Sequence, residues 1–169
     1  MKIVYMGEES LREVSVPVEK IDENIKNLIA EMFDTLKKLD GIGLAAPQVG
    51  RNIRLFIVAL GDEKYVFINP HIIETSQEVC AMEEGCLSIP KIYETVQRPS
   101  AVRIQFMTTE GKVKTMDASG LLARVIQHEN DHLNGVLFLD RLDEQTRENA
   151  IKRFEQKKAL LSKKRILKR

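Results

Sequence analysis

The segment from Ser119 to Gly135 constrains this chain most. Its apolar residues Leu121, Leu122, Val125, Ile126 and Leu133 recur at the spacing of one helix face. The same stretch carries His128, Glu129, Asp131 and His132. A helix so apolar buries ionisable groups at a cost that needs a purpose. Ser119 or Asp117 is the expected N-cap and Gly135 the expected stop.

Residues four apart on a helix lie on one face, about 5–6 Å apart at Cβ. His128 and His132 have that spacing, so two imidazoles can converge on one metal ion. Glu129, beside the first histidine, reaches a water on the metal rather than the metal itself. The chain has only three histidines, the third being His71, so the pairing stands out. A soft third ligand is available in Cys86, within Glu84-Gly85-Cys86-Leu87-Ser88, which reads as a loop. Two imidazoles and a thiolate leave a fourth position for water, as in catalytic sites. That donor set suits Fe(II) or Zn(II), with Ni(II) and Co(II) able to substitute. Cys80 has no ligand pattern around it and reads as a small buried apolar residue.

A further segment, Gly41-Ile42-Gly43-Leu44-Ala45-Ala46-Pro47-Gln48, allows close backbone approach at its glycines. Gln48 supplies a neutral donor suited to an oxyanion. Elsewhere the pattern predicts a helix over residues 22–39, capped by Asp22 and stopped near Gly41. Strands are expected over 53–59 and 65–69, and a hairpin joins 102–108 to 112–117 through Thr109-Glu110-Gly111. Between 72 and 97 only short strands are expected, with Pro90 limiting them. A final helix spans 143–163. Strands and helices do not alternate, which indicates α+β with antiparallel sheet.

Composition excludes several classes. The length favours one domain over 1–169. An apolar content of 43% is ordinary for a globular protein, and no run is long enough for a membrane span. The first residues turn acidic without an apolar leader, so a cytoplasmic, membrane-free protein is expected, with a monomer as the working state. Residues 152–169 hold nine Lys or Arg and one acid, leaving residues 1–151 at −7. Such a basic tail either meets an anionic partner or ends as a solvated helix.

Taken together and in order, Gly41 to Gln48, Glu84 to Ser88 and Gln127-His128-Glu129-Asn130-Asp131-His132-Leu133 resemble the three signature motifs of the peptide deformylases. The resemblance covers nearly the whole chain and is weakest in the tail. It implies antiparallel sheets around a central helix that carries the two histidines. It implies Cys86, His128 and His132 as ligands of one divalent metal, natively Fe(II) in many members. It implies Glu129 as general acid/base, with the Gln48 amide and the Leu87 backbone N–H as the oxyanion hole. The implied reaction removes the formyl group from N-formylmethionine of new bacterial polypeptides: metal-bound water attacks the formyl carbon and formate leaves.

Leu121 and Val125, seven and three residues before His128, are candidates for the methionine pocket, with Ile42 and Met82 behind them. A peptide backbone is expected to pair near Gly43 and Gly85 as an added strand. Asp131 is expected to pair with Arg98 or Arg124 and support the site. The basic tail is a candidate for ribosome association through phosphate contacts. Two rival readings remain. A zinc protease shares the helical motif but takes its third ligand downstream, where no further His occurs. An inactive peptide binder is expected to lack Glu129 or Gln48, and both are present.

Overall fold

A computed structural model describes residues 1–166, with side chains through residue 159. Residues 167–169 and the side chains from 160 onward, part of the expected basic tail, lie outside the described residues.

The first helix, α1 (Glu23–Lys38), begins as its sequence predicts: the Asp22 carboxylate accepts the Ile25 N–H at 3.1 Å. Its end differs in detail. Asp40, not Gly41, adopts the left-handed conformation at φ 54°, and the Gly41 N–H closes the turn on Leu36 O at 3.1 Å. Gly41 is needed for space, since a Cβ there would lie 2.6 Å from Leu36 Cδ1. Apolar residues at helical spacing, Leu28, Ile29, Met32 and Leu36, are buried against the sheet.

Seven strands follow the antiparallel expectation. They are β1 (Gly43–Ala45), β2 (Leu55–Leu60), β3 (Glu63–Thr75), β4 (Val79–Cys86), β5 (Ile89–Pro99), β6 (Ala101–Met107) and β7 (Val113–Ser119). Five form one sheet in the order β1-β2-β3-β6-β7, and β4 pairs with β5 in a separate two-stranded sheet. Every strand pair is antiparallel. The turn between β6 and β7 falls at Thr109-Glu110-Gly111, with Gly111 at φ 76°. The expected short strands between 72 and 97 are long instead. Pro90 is the second residue of β5, where its missing N–H breaks no pairing, so the strand runs on for 11 residues.

Helix α2 (Gly120–Leu133) carries the histidine motif and packs against β1, β2, β6 and β7. Its other side faces β4 and β5, so it lies between the two sheets. The fold is α+β with antiparallel sheets around this helix. Ser119 occupies the N-cap position, but its side chain makes no capping bond. The strand runs directly into the helix through Gly120 at φ 58°, leaving no turn for a cap. Gly135, at φ 69°, ends the helix as expected, with the Val136 N–H on Asp131 O at 3.0 Å. The last helix, α3 (Glu144–Ile166), packs on β5 through Ala150 and Phe154.

Candidate metal centre

Each element delivers one part of the site. Helix α2 presents His128 and His132 one turn apart, their ring centroids 5.2 Å from each other. Strand β4 ends on Cys86, where the β4–β5 register breaks between Gly85 and Cys86. Cys86 thus stands at a bulged strand end rather than in a loop, and the bulge turns its side chain toward the helix. Cys86 Sγ lies 3.2 Å from His132 Nε2. The ligand atoms of Cys86, His128 and His132 all fall within 4.8 Å of one another.

The residues fit a metal ion. His128 Nδ1 is held by Glu84 Oε2 at 2.9 Å, which leaves its Nε2 for a ligand. Burial works against a charged His128, yet Cys86 and Glu84 outweigh it and raise its pKa well above the usual value. His132 goes the other way: burial and the nearby His128 hold it neutral, the ligating form.

Glu84 is the residue that sequence reasoning missed. It is buried and accepts from Arg98 Nε at 2.7 Å, Arg98 Nη2 at 3.0 Å and Arg124 Nη1 at 2.8 Å, besides His128. Burial alone would raise its pKa. The bonds from His128 and Arg98 prevail and hold it well below the usual carboxylate range. Arg98 also donates to Asp131 at 2.7 Å, as one of the two expected pairings proposed. Arg141, from a 3-10 turn over Phe138–Arg141, adds two bonds to Asp131. Arg124, the other expected partner, turns to Glu84 and to Cys80 O at 2.7 Å. This network ties α2 to β4, the two sources of ligand atoms, and to β5.

Glu129 lies beside the ligands, 3% exposed, and its Oε2 has no hydrogen-bond partner among the described residues. Burial pushes its carboxyl up to about 7, against the opposing pull of His128. Gly43 of β1 presses on it: a Cβ at Gly43 would overlap Glu129 Oε1 and lie 2.7 Å from Val125 Cγ1. Gln48 sits on a 3-10 turn over Ala46–Val49. Its Oε1 accepts the Ala45 N–H at 2.8 Å, which orients Nε2 toward Cys86 Sγ at 3.4 Å and Ser88 Oγ at 3.3 Å.

A cavity of about 540 Å³ opens over these groups. Among its lining residues are Ile42, Gly43, Gln48, Gly85, Cys86 and Leu87. Leu121, Val125, His128 and Glu129 of α2 line it as well. One expectation falls outside: Met82 of β4, paired with Val96 of β5, does not line the cavity. His71, for which no role was expected, is exposed on β3 opposite Gln105. Tyr5 and Tyr93 line the cavity without having been anticipated. Tyr5 is brought there by an N-terminal segment whose Val4 and Met6 N–H groups bond Gln48 O and Ser88 O. Neither tyrosine sits in a motif, so nothing local marks it.

A buried carboxylate, an imidazole–imidazole–thiolate donor set and an open cavity, on antiparallel sheets around a helix, define the metal-dependent hydrolases as the class of this chain. Comparison with known proteins narrows the class. The polypeptide deformylase family matches residues 1–148. The peptide deformylase of Treponema pallidum (strain Nichols) is 49% identical over 154 residues, 91% of this chain and 95% of that protein. That of Brucella suis is 40% identical over 98% of this chain and 97% of its own length. A crystal structure of a peptide deformylase from Legionella pneumophila superposes with a TM-score of 0.90 at 40% identity, covering 95% of this chain and 96% of that one. One from Synechococcus elongatus, in complex with actinonin, gives 0.88 at 41% identity over 92% and 86%. The chain belongs to the polypeptide deformylase family.

Proposed function

We propose that this chain removes the formyl group from N-formylmethionine at the start of new polypeptides, using one metal held by Cys86, His128 and His132. The observation that carries the reading is the buried carboxylate of Glu129, one oxygen of it unpaired among the described residues, lining the same cavity as Cys86 and His128 of the three-ligand cluster.

When bound, a divalent metal there supplies Lewis acidity and activates a water for attack at neutral pH. Glu129 takes the proton of the attacking water, and a carboxyl with a pKa near 7 serves as both base and acid. Gln48 Nε2 and the Leu87 N–H donate to the formyl oxygen as it gains charge. Glu129 then returns its proton to the departing amine. The carbon–nitrogen bond breaks, giving formate and a free methionine amine. Leu121, Val125 and Ile42 hold the methionine side chain. Gly43 and Gly85 leave the free edges of β1 and β4 open to the peptide backbone, which adds as a strand. The formyl carbon carries only hydrogen, and the crowding of Gly43, Val125 and Glu129 leaves little room for an acetyl methyl.

Fe(II) is our choice for the native metal, because a thiolate with two imidazoles suits it, and Zn(II), Ni(II) and Co(II) substitute. Cytoplasmic action on nascent chains agrees with there being no helix among the described residues long and apolar enough to cross a membrane. We extend the reading to one catalytic domain acting as a monomer, with the basic residues of 152–169 contacting ribosomal phosphates. Deleting 152–169 is expected to reduce co-sedimentation with ribosomes; unchanged pelleting contradicts that extension.

The test is formate release from a formyl-Met peptide by protein loaded separately with Fe(II), Ni(II) and Zn(II). Activity in at least one form, with Fe(II) lost fastest in air, is expected. No formate from any form contradicts the reading.

A further inference from the structure

The two donors assigned to the formyl oxygen come from different sheets. Gln48 follows β1 of the five-stranded sheet, and Leu87 lies in the turn that joins β4 to β5. Gln48 Nε2 reaches across to Ser88 Oγ at 3.3 Å and to Cys86 Sγ at 3.4 Å. These are long bonds, made by the amide that the reaction needs. Packing of Leu87 against the core cluster of Leu44 and Val49 adds to them but has no direction. An oxyanion site works through donors fixed in place beforehand, which calls for directional bonds across this gap.

A short N-terminal segment, Ile3 to Met6, supplies them. The Val4 N–H donates to Gln48 O at 2.8 Å, and the Met6 N–H donates to Ser88 O at 2.9 Å. One bond thus falls on the first donor residue and the other on the neighbour of the second. Gln48 and Ser88 are almost fully buried, so water competes little for either bond. The side chains divide in the same way. Ile3 belongs to the core cluster with Leu44, Ala46 and Val49, around Gln48. Met6 packs against the cluster of Ile89, Ile92 and Phe138, beneath the β4–β5 turn.

We infer that residues 3–6 are a positioning strap, which sets the spacing between Gln48 Nε2 and the Leu87 N–H and acts on the reaction through those two donors. A displacement of about 1 Å from outside the chemistry costs up to about 10²-fold in rate, so a strap of this kind governs kcat more than KM. The inference rests on the deformylase reading above.

The experiment measures kcat and KM for formate release from a formyl-Met peptide by the metal-loaded protein. Val4→Pro removes the N–H that holds Gln48 O, and Val4→Ile keeps it. Met6→Gly keeps its N–H but loses the anchor and frees the backbone. Val4→Pro and Met6→Gly are expected to lower kcat by about tenfold with KM within about twofold, and Val4→Ile to match the parent. Each change is then repeated in a Gln48→Ala background. Loss of folded protein lowers kcat by one factor in both backgrounds, whereas a strap that sets donor spacing loses its effect once one donor is gone. There the strap changes are expected to cost about twofold or less. Metal content and urea unfolding identify the folded variants, and Met6→Gly decides if Val4→Pro does not fold. Equal losses in both backgrounds, a change confined to KM, or an unchanged kcat overturns the inference and leaves the deformylase reading standing. No formate from the parent chain overturns both.

Discussion

Glu84 and Glu129 are two buried carboxyls in one site, and their surroundings drive them apart. Guanidinium and imidazole donors keep Glu84 ionised, whereas burial with an unpaired oxygen lifts Glu129 to about 7. Such divergence separates a group that holds from a group that exchanges protons. Glu129→Gln is thus expected to retain the metal, by metal analysis of the purified protein, and to lose about 10²–10⁴-fold in turnover. A variant that turns over like the parent contradicts the assignment. The ligands were legible because His128 and His132 declare their geometry through helical spacing. Glu84 was not, although it stands in a motif quoted above. An acid in a strand is ordinarily solvated, and its partner His128 lies 44 positions along the chain.

Helix α2 and strands β1 and β4 are held to one geometry by close packing on one side and by charge on the other. On the β1 side, Gly43→Ala puts a methyl into the Glu129 carboxyl and Val125. This change is expected to lower kcat more than tenfold at nearly unchanged metal content. On the β4–β5 side, Arg98 serves both Glu84 and Asp131. Arg98→Met leaves two buried carboxylates short of a cation and is expected to cost about 3–5 kcal/mol, read from urea unfolding. Sequence periodicity found α1 and α2, with the Asp22 cap and the Gly135 stop, but not their other ends, and it did not mark Gly43–Ala45 as a strand. Asp40 rather than Gly41 takes the left-handed turn after α1, because space against Leu36 is what the glycine supplies. Ser119 does not cap α2, because β7 leads into the helix directly.

Over the whole molecule, the order of elements fixes where the chemistry lies. Sequence order and patterning were enough for α+β with antiparallel sheet, since the strands are contiguous and the turn residues explicit. The division into a five-stranded and a two-stranded sheet was not legible. Pairing β3 with β6 skips over β4 and β5, and no local pattern encodes that choice. The same division opens the cavity between β1 and β4, with α2 as its floor. Tyr93 enters the site only through this arrangement.

The central claim is that this cavity hydrolyses a formyl amide and leaves the peptide bonds alone. Mass spectrometry of the products from matched formyl-Met and acetyl-Met peptides, incubated with Fe(II)- or Ni(II)-loaded protein, tests it most directly. The predicted result is replacement of the formyl group by hydrogen, an intact peptide behind it, and an acetyl peptide that stays whole. Internal cleavage, or equal loss of formyl and acetyl groups, contradicts the account.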